Sequence, residues 1–284
     1  MVSYDATPSI SQVEQRMLEL VFPDQGEAGA AAAHHLSAGG SRVRARLAIH
    51  AGRALGLSPR GTIAIATACE LLHNASLVHD DLQDRDPLRR GQDAVWRRHG
   101  DAVAICTGDL LLSAAYGALA GTGAAAGSLI ARMHARVGAV IRGQCEDLAL
   151  QGGQVGALAA YERVASGKSA PLLILPIELA LVLAGRYDAI GAAEHAGTRF
   201  AIGYQMADDL DDVARDALNE ELNIVAVLAA AGEARPREAA RALAIRRFEE
   251  ARAAAASLPR GCGGLLAEQS FARATALATD LETT

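Results

Sequence analysis

The stretch Ser58–Asp84, SPRGTIAIATACELLHNASLVHDDLQD, opens on a helix start signal, stays largely apolar, and ends in a cluster of aspartates. Ser58 suits an N-cap, and Pro59 suits the first helical position, where a missing N–H costs nothing. The pattern predicts one long helix to about Asp84, stopped near Pro87. Its last residues read Asp80-Asp81-Leu82-Gln83-Asp84. A second cluster of the same D-D-x-x-D form, Asp208-Asp209-Leu210-Asp211-Asp212, closes another long apolar stretch. Helix residues four apart share a face, with Cβ atoms roughly 5–6 Å apart, so Asp80 points with Asp84 and Asp208 with Asp212. Like charges at that spacing repel. One such cluster reads as readily as a solvated helix end, but two of matched spacing need a cation between the carboxylates. Hard oxygen donors suit Mg²⁺, which takes one or two carboxylates together with substrate phosphates.

Working outward, helical periodicity dominates and strand alternation is absent. Helices are predicted at 9–21, 30–35, 42–55, 99–120, 126–151, 157–167, 170–184, 188–216, 222–231, 235–256 and 264–281. Pro23–Gly29 reads as a turn region and Leu88–Gly91 as a loop, while Gly39-Gly40, Gly121–Gly123, Gly152-Gly153 and Gly261–Gly264 mark joints. No linker, charge block or low-complexity tail divides the 284 residues, so one all-α domain is expected. Hydrophobic residues make up 51% of the chain but aromatic ones only 4%, so the core is Ala, Leu, Val and Ile. That mixture favours packed helices over sheet.

A formal charge of −6 argues against a nucleic-acid partner. Cys69, Cys106, Cys145 and Cys262 form no C-x-x-C pair and fit small side chains in a reducing compartment, with the cytoplasm as the expected location. Residues 1–20 lack the pattern of a signal peptide. The most membrane-like stretch, Ser169–Gly185, holds Pro171, Pro176 and Glu178 and falls short of the ~20 apolar residues of a span, so no membrane span is expected there. Arginine supplies nearly all the basic charge, and Lys168 is the sole lysine, a residue kept where a compact ammonium is needed.

Around the first cluster, His73 lies two helical turns before Asp80, and Arg89-Arg90-Gly91 follows within a few residues. Around the second, Gln205 lies one turn before Asp208. A site for Mg²⁺ and diphosphates needs both signs: carboxylates for metal and guanidinium forks for phosphate oxygens.

In these segments the chain resembles the trans-isoprenyl diphosphate synthase (polyprenyl synthetase) family. The matching segments, in the family's order, are GGSRVRA at Gly39–Ala45, ELLHNASLVHDDLQD at Glu70–Asp84, RRG at Arg89–Gly91, TGD at Thr107–Asp109, GQCED at Gly143–Asp147, GKS at Gly167–Ser169 and GYQMADDLDD at Gly203–Asp212. The resemblance implies an isoprenoid synthase fold: a bundle of about ten or more mostly antiparallel helices around a central apolar cavity, usually in a homodimer, with the two aspartate motifs facing across its mouth. By similarity Asp80, Asp84 and Asp208 ligate Mg²⁺, three ions with the bound diphosphate, with Asp81 and Asp212 in close support. Arg89, Lys168, Ser169 and Gln205 match positions that hold the allylic diphosphate, and Lys168, Gln205 and Arg89 are the catalytic candidates among them. His73, Arg42 and Arg90 match positions that bind isopentenyl diphosphate, where Ser41 replaces a common lysine. Asp216–Val225 (DALNEELNIV) lacks the lysines that usually follow the second motif.

The implied activity is Mg²⁺-dependent head-to-tail (1'-4) condensation of isopentenyl diphosphate with an allylic diphosphate, forming a trans-polyprenyl diphosphate. Ala75 and Ser76, five and four residues before Asp80, are small. Relatives that stop early carry an aromatic floor at this level, so geranylgeranyl diphosphate is the expected product. The alternatives are a farnesyl diphosphate synthase of the same family, a class I terpene cyclase, and an inactive partner subunit. The cyclase usually carries an N/D-x-x-S/T-x-x-x-E second motif, unlike D-D-L-D-D, and the inactive subunit is motivated by the missing lysines.

Overall fold

The computed structural model describes residues 8–21, 26–150, 157–219 and 222–279, with all their side chains except those of 146–150, 168–169 and 218–219. The chain is almost wholly helical, as its composition requires. The helices are α1 (Ile10–Val21), α2 (Glu27–Ser37), α3 (Val43–Leu55), α4 (Pro59–Gln83), α5 (Val95–His99), α6 (Asp101–Ala120), α7 (Ala126–Leu150), α8 (Leu158–Leu183), α9 (Ile190–Asn219), α10 (Ile224–Ala230), α11 (Pro236–Ala256) and α12 (Gly264–Thr279). Two-residue strands β1 (Leu88–Arg89) and β2 (Gln92–Asp93) form an antiparallel hairpin between α4 and α5.

Two compact units can be told apart. One takes in the chain to Arg132 together with Leu179–Gly185; the other is Met133–Glu178 and the chain from Arg186. In the first, α4 packs against α3 and α6, and α6 also against α2. The buried stripe of α4, Ile65, Ala68, Leu71, Leu72, Ala75 and Val78, follows the 3.6-residue period. Ser58 caps it as expected, its Oγ accepting from the Gly61 amide at 3.2 Å. In the second unit, α9 packs on α11 and α11 on α12. Tyr161 of α8, Met206 and Leu210 of α9, Ile224 of α10 and Ala244 of α11 share one core cluster.

Four local departures from the sequence reading have physical causes. α2 starts at Glu27 rather than Ala30, because burial of Gly29, Ala32 and Leu36 outweighs glycine's poor helix propensity. Residues 88–93 form a hairpin rather than a plain loop. Arg90 (φ 53°) and Gly91 (φ 79°) both take positive φ, the two-residue turn whose twist suits a hairpin. The short α5 was not anticipated, being too brief to show a period. α8 is one helix where a break was expected; it bends by 54° between Leu158–Gly167 and Ala170–Leu183. Pro171 lacks an amide to bond to the Gly167 carbonyl, which accounts for the bend.

One helix, α6, is long and apolar enough to cross a membrane by length and composition, with 44% of its most apolar window buried. The sequence reading had looked instead at Ser169–Gly185, which lies mostly in α8. Packing of α6 on α4 and α2 makes it a core helix of its unit.

Candidate functional site

The end of α4 sorts the three aspartates of the first motif. Asp84 is the C-cap, its amide donating to the Asp80 carbonyl at 2.8 Å. Arg85 then turns left-handed (φ 58°), and the Asp86 amide donates back to the Asp81 carbonyl at 3.0 Å, a Schellman-type closure. This exit leaves Asp84 exposed and Asp80 half-buried, and it sends Asp81 inward, where it is buried. Asp81 accepts from Arg89 Nε at 2.8 Å and from Arg89 Nη2. Its Oδ2 is buried with no hydrogen-bond partner. Burial raises the Asp81 carboxyl above the usual range against the pull of Arg89.

The hairpin turn aims Arg90 at the glycine pair. Arg90 Nη1 donates to the Gly39 carbonyl, and the guanidinium lies against Gly40, whose added Cβ would sit 2.7 Å from Arg90 Cζ. Gly40 also has φ +134°, so the backbone demands glycine, and a side chain there would push the Arg90 guanidinium aside.

Arg42 and Arg44 part company at the start of α3. Arg42, at the N-cap with φ 48°, is buried; its Nε donates to Glu14 at 3.0 Å and its Nη2 to the Leu36 carbonyl at 3.2 Å, leaving Nη1 buried without a partner. Glu70, buried on α4, accepts from the Ala45 amide at 2.9 Å, so a carboxylate from one helix caps the next. Arg44 is half-buried in the field of Glu70 and Arg90.

His73 sits among these cations. Burial first, then Arg44, Arg90, His35 and Arg89, hold its imidazole well below the usual pKa and keep it neutral. His35 is neutral too, lowered to about 4 by burial and Arg90. Asn74 Nδ2 donates to the Glu70 carbonyl at 2.7 Å, which leaves Asn74 Oδ1 to accept from His35 Nε2 at 3.1 Å. Arg44, Arg89 and Arg90 thus make a cationic cluster around a neutral His73, suited to an anion of several charges. Sequence reasoning missed Arg44, His35 and Glu70. The second arginine of R-V-R was the available signal for Arg44, and Glu70 opens the matching segment Glu70–Asp84, while nothing local marked His35.

Ala75 is buried and Ser76 half-buried, the Ser76 Oγ donating to the His73 carbonyl at 2.8 Å. Ser41 is exposed, its carbonyl accepting from Arg46 Nε at 3.1 Å. A groove beside Gly56–Gly61, Ile63, Ala64 and Gly121–Gly123 holds none of the predicted site residues. It lies about 30 Å along α4 from Asp80 at 1.5 Å per residue.

The second motif sorts its carboxylates in the same way. Asp209 is buried, accepting from Gln205 Nε2 on Oδ1 and from both the Tyr161 hydroxyl and the Ile224 amide on Oδ2, each at 2.8 Å. Asn223, the N-cap of α10, donates to the Asp209 carbonyl at 2.9 Å and to Asp216 Oδ2 at 2.8 Å. Asp208 and Asp212 are half-buried, and Arg215 Nη2 donates to Asp212 at 2.7 Å. Burial, with Asp209, Asp212 and Asp211 close by, pushes Asp208 up to about 6 against the pull of Arg273. A hard carboxylate donor crowded by other carboxylates fits Mg²⁺. Among the described residues no three His, Cys, Asp or Glu side chains form a cage for a metal by themselves.

Lys168 and Ser169 lie on α8, but their side chains fall outside the described residues, as does that of Asp147. Their helix runs very close to α7: a Cβ on Gly143 would lie 2.8 Å from the Gly167 carbonyl. Two small residues therefore let the GQC and GKS segments meet.

The model of the family described as polyprenyl synthetase matches residues 27–223. Over 173 residues the chain is 36% identical to a (2E,6E)-farnesyl diphosphate synthase of Mycobacterium bovis, covering 60% of this chain and 48% of that protein. Over 182 residues it is 31% identical to a geranylgeranyl diphosphate synthase of Methanosarcina mazei, covering 63% and 56%. The chain spans about half the length of the curated relatives it matches. In fold it is similar to the geranylgeranyl pyrophosphate synthetase of Geoglobus acetivorans, with a TM-score of 0.83 at 24% identity, covering 93% of this chain and 97% of that one. With more than half of its residues matched by the family model, the chain belongs to the polyprenyl synthetase family.

Proposed function

We propose that this protein is a prenyltransferase that condenses isopentenyl diphosphate with an allylic diphosphate, head to tail, to give a trans-polyprenyl diphosphate. The observation that carries this reading is the division of charge at the end of α4. Arg44, Arg89 and Arg90 surround a neutral His73, while Asp80 and Asp84 remain outside the Asp81–Arg89 pair.

The cationic cluster would hold the isopentenyl diphosphate through charge-assisted hydrogen bonds, with Arg44 joining His73 and Arg90 in this task. The allylic diphosphate would be held by Arg89, Lys168, Ser169 and Gln205. Asp80 and Asp84 with Asp81 in support, and Asp208 with Asp212 in support, are the carboxylates that would hold Mg²⁺, which would supply positive charge to offset the negative charge of the departing diphosphate. Asp81 contributes by fixing Arg89, and Asp209 by fixing the Gln205 amide. Once the allylic cation forms, the double bond of isopentenyl diphosphate attacks it, and the proton that leaves the adjacent carbon passes to the diphosphate. The Lys168 ammonium would offset negative charge that grows as the allylic C–O bond breaks, so its contribution is largest in the transition state.

Relatives named as farnesyl and as geranylgeranyl diphosphate synthases both match the chain. The small Ala75 and Ser76 side chains favour the twenty-carbon product. A homodimer is part of the proposal, supported by an apolar α6 on which Ile105 remains 50% exposed. The experiment is incubation with Mg²⁺, isopentenyl diphosphate and an allylic diphosphate, followed by chromatography of the dephosphorylated products. Twenty-carbon alcohol is expected. A cyclic hydrocarbon, or no turnover at any chain length, would overturn the reading.

A further inference from the structure

Asp208 has a neighbour that its own motif does not supply. Arg273, on α12, lays its guanidinium over the Tyr204 ring, 4.7 Å from the centroid. Tyr204 precedes Asp208 by four residues on α9, so the two share a helix face.

Its placement is built from the core outward. Phe248, fully buried on α11, meets Phe200 edge-on at 5.5 Å. Phe200 stacks on Tyr204 at 6.3 Å, and Tyr204 carries Arg273. An aromatic ladder therefore holds the guanidinium on the face of α9 that also carries Asp208, and the Arg273 residue is exposed to solvent. Other arginines of this unit, such as Arg136, Arg199 and Arg247, are committed to glutamates. Among the described residues Arg273 enters no ion pair. A planar fork held by its face and free at its edge is suited to phosphate oxygens.

We propose that Arg273 is a diphosphate-binding residue, contributed by α12, for the anion held at Asp208 and Asp212. The segment Asp216–Val225 contains no lysine for this task, and Arg273 brings a cation to the same carboxylates from the far end of the chain. The assignment rests on the proposed reading of the site.

Calorimetric titration with inorganic diphosphate in excess Mg²⁺ tests it on the wild type, Arg273→Gln and Arg252→Gln. Arg252 is the matched control, a guanidinium stacked 4.6 Å over the Phe271 ring on α12 and part of no proposed site. Both variants lose one cation–π contact, so their melting temperatures should fall by similar small amounts. Only Arg273→Gln should weaken diphosphate binding, by roughly tenfold or more, the usual scale for a hydrogen bond to a charged group. Equal affinity in Arg273→Gln and wild type, or an equal loss in Arg252→Gln, would overturn the assignment. A wild type that binds no diphosphate with Mg²⁺ would overturn the reading of the whole site instead.

Discussion

The Tyr161 hydroxyl donates a buried hydrogen bond of 2.8 Å to Asp209, tying the helix that carries Lys168 to the helix that carries the second aspartate motif. Asp209 is thereby a structural centre, while Asp212 reaches that network only through Arg215, which also contacts Asp216. Tyr161→Phe should leave Asp209 short of one donor and cost about 1–3 kcal/mol of stability. Urea unfolding measures the loss, and an unchanged midpoint would remove Asp209 from the centre of the packing.

Asp208 should behave in the opposite way. Its folded pKa is raised to about 6 from 3.8, so its charge is disfavoured in the fold. The stability it contributes falls as pH rises between these values and stays low above them. Asp208→Asn should therefore stabilise the protein at pH 7 by on the order of 1 kcal/mol, after discounting for solvent screening of a half-exposed group. The gain should vanish at pH 4. Turnover should drop by roughly a hundredfold or more, since a proposed Mg²⁺ ligand is lost. Urea curves at the two pH values and steady-state rates decide between a ligand and a packing residue.

His35 gives a second pH dependence, with the other sign. Its folded pKa is lowered to about 4, below the ordinary 6.5, because the buried ring stays neutral. The unfolded chain takes up the proton first, so stability is complete above about 6.5 and is lost as pH falls toward 4, by up to about 3 kcal/mol. His35→Gln keeps a donor for Asn74 and should flatten this slope. Denaturant titrations at pH 5 and 7.5 measure it; an equal slope in both proteins would assign the acid sensitivity elsewhere.

Gly40→Ala should unseat Arg90. The new methyl would meet the guanidinium at 2.7 Å on a backbone with φ +134°. A strained position of this kind costs about 1–3 kcal/mol. If Arg90 binds isopentenyl diphosphate, KM for that substrate should rise about tenfold while KM for the allylic partner changes little. Equal changes in both constants would point to general loosening.

Ala75→Phe should shorten the product. Ala75 is 3% exposed and lies one turn below Asp80, so a ring there fills space the growing tail needs. Overpacking costs about 1–3 kcal/mol, which the melting temperature reports separately. Chromatography of the products decides the matter. An unchanged product distribution would place the floor of the cavity elsewhere.

The helices were legible because their signals are local. Ser58-Pro59 starts α4, glycines mark the joints, and apolar residues recur at the helical period whatever the distant chain does. The same holds for the pairing of Asp80 with Asp84 and of Asp208 with Asp212, which follows from helix geometry alone. The 88–93 hairpin escaped notice because its turn puts a non-glycine, Arg90, at positive φ, with its guanidinium bonded to the distant Gly39 carbonyl.

The sequence by itself determined an all-α chain of this family, with two carboxylate clusters, an arginine pair and a single lysine. Only the tertiary structure decided which member of each cluster is committed. Asp81 is taken by Arg89, eight residues on, and Asp209 by Tyr161 and Ile224, 48 and 15 residues away. It likewise turned Arg42 toward Glu14 and left Arg44 in the field of His73. A D-D-x-x-D pattern fixes how far apart carboxylates lie along a helix. Burial and partners set their charge and their freedom, and the deciding partners, Arg89 in the hairpin, Tyr161 on α8 and Ile224 on α10, lie outside the motif's own helix.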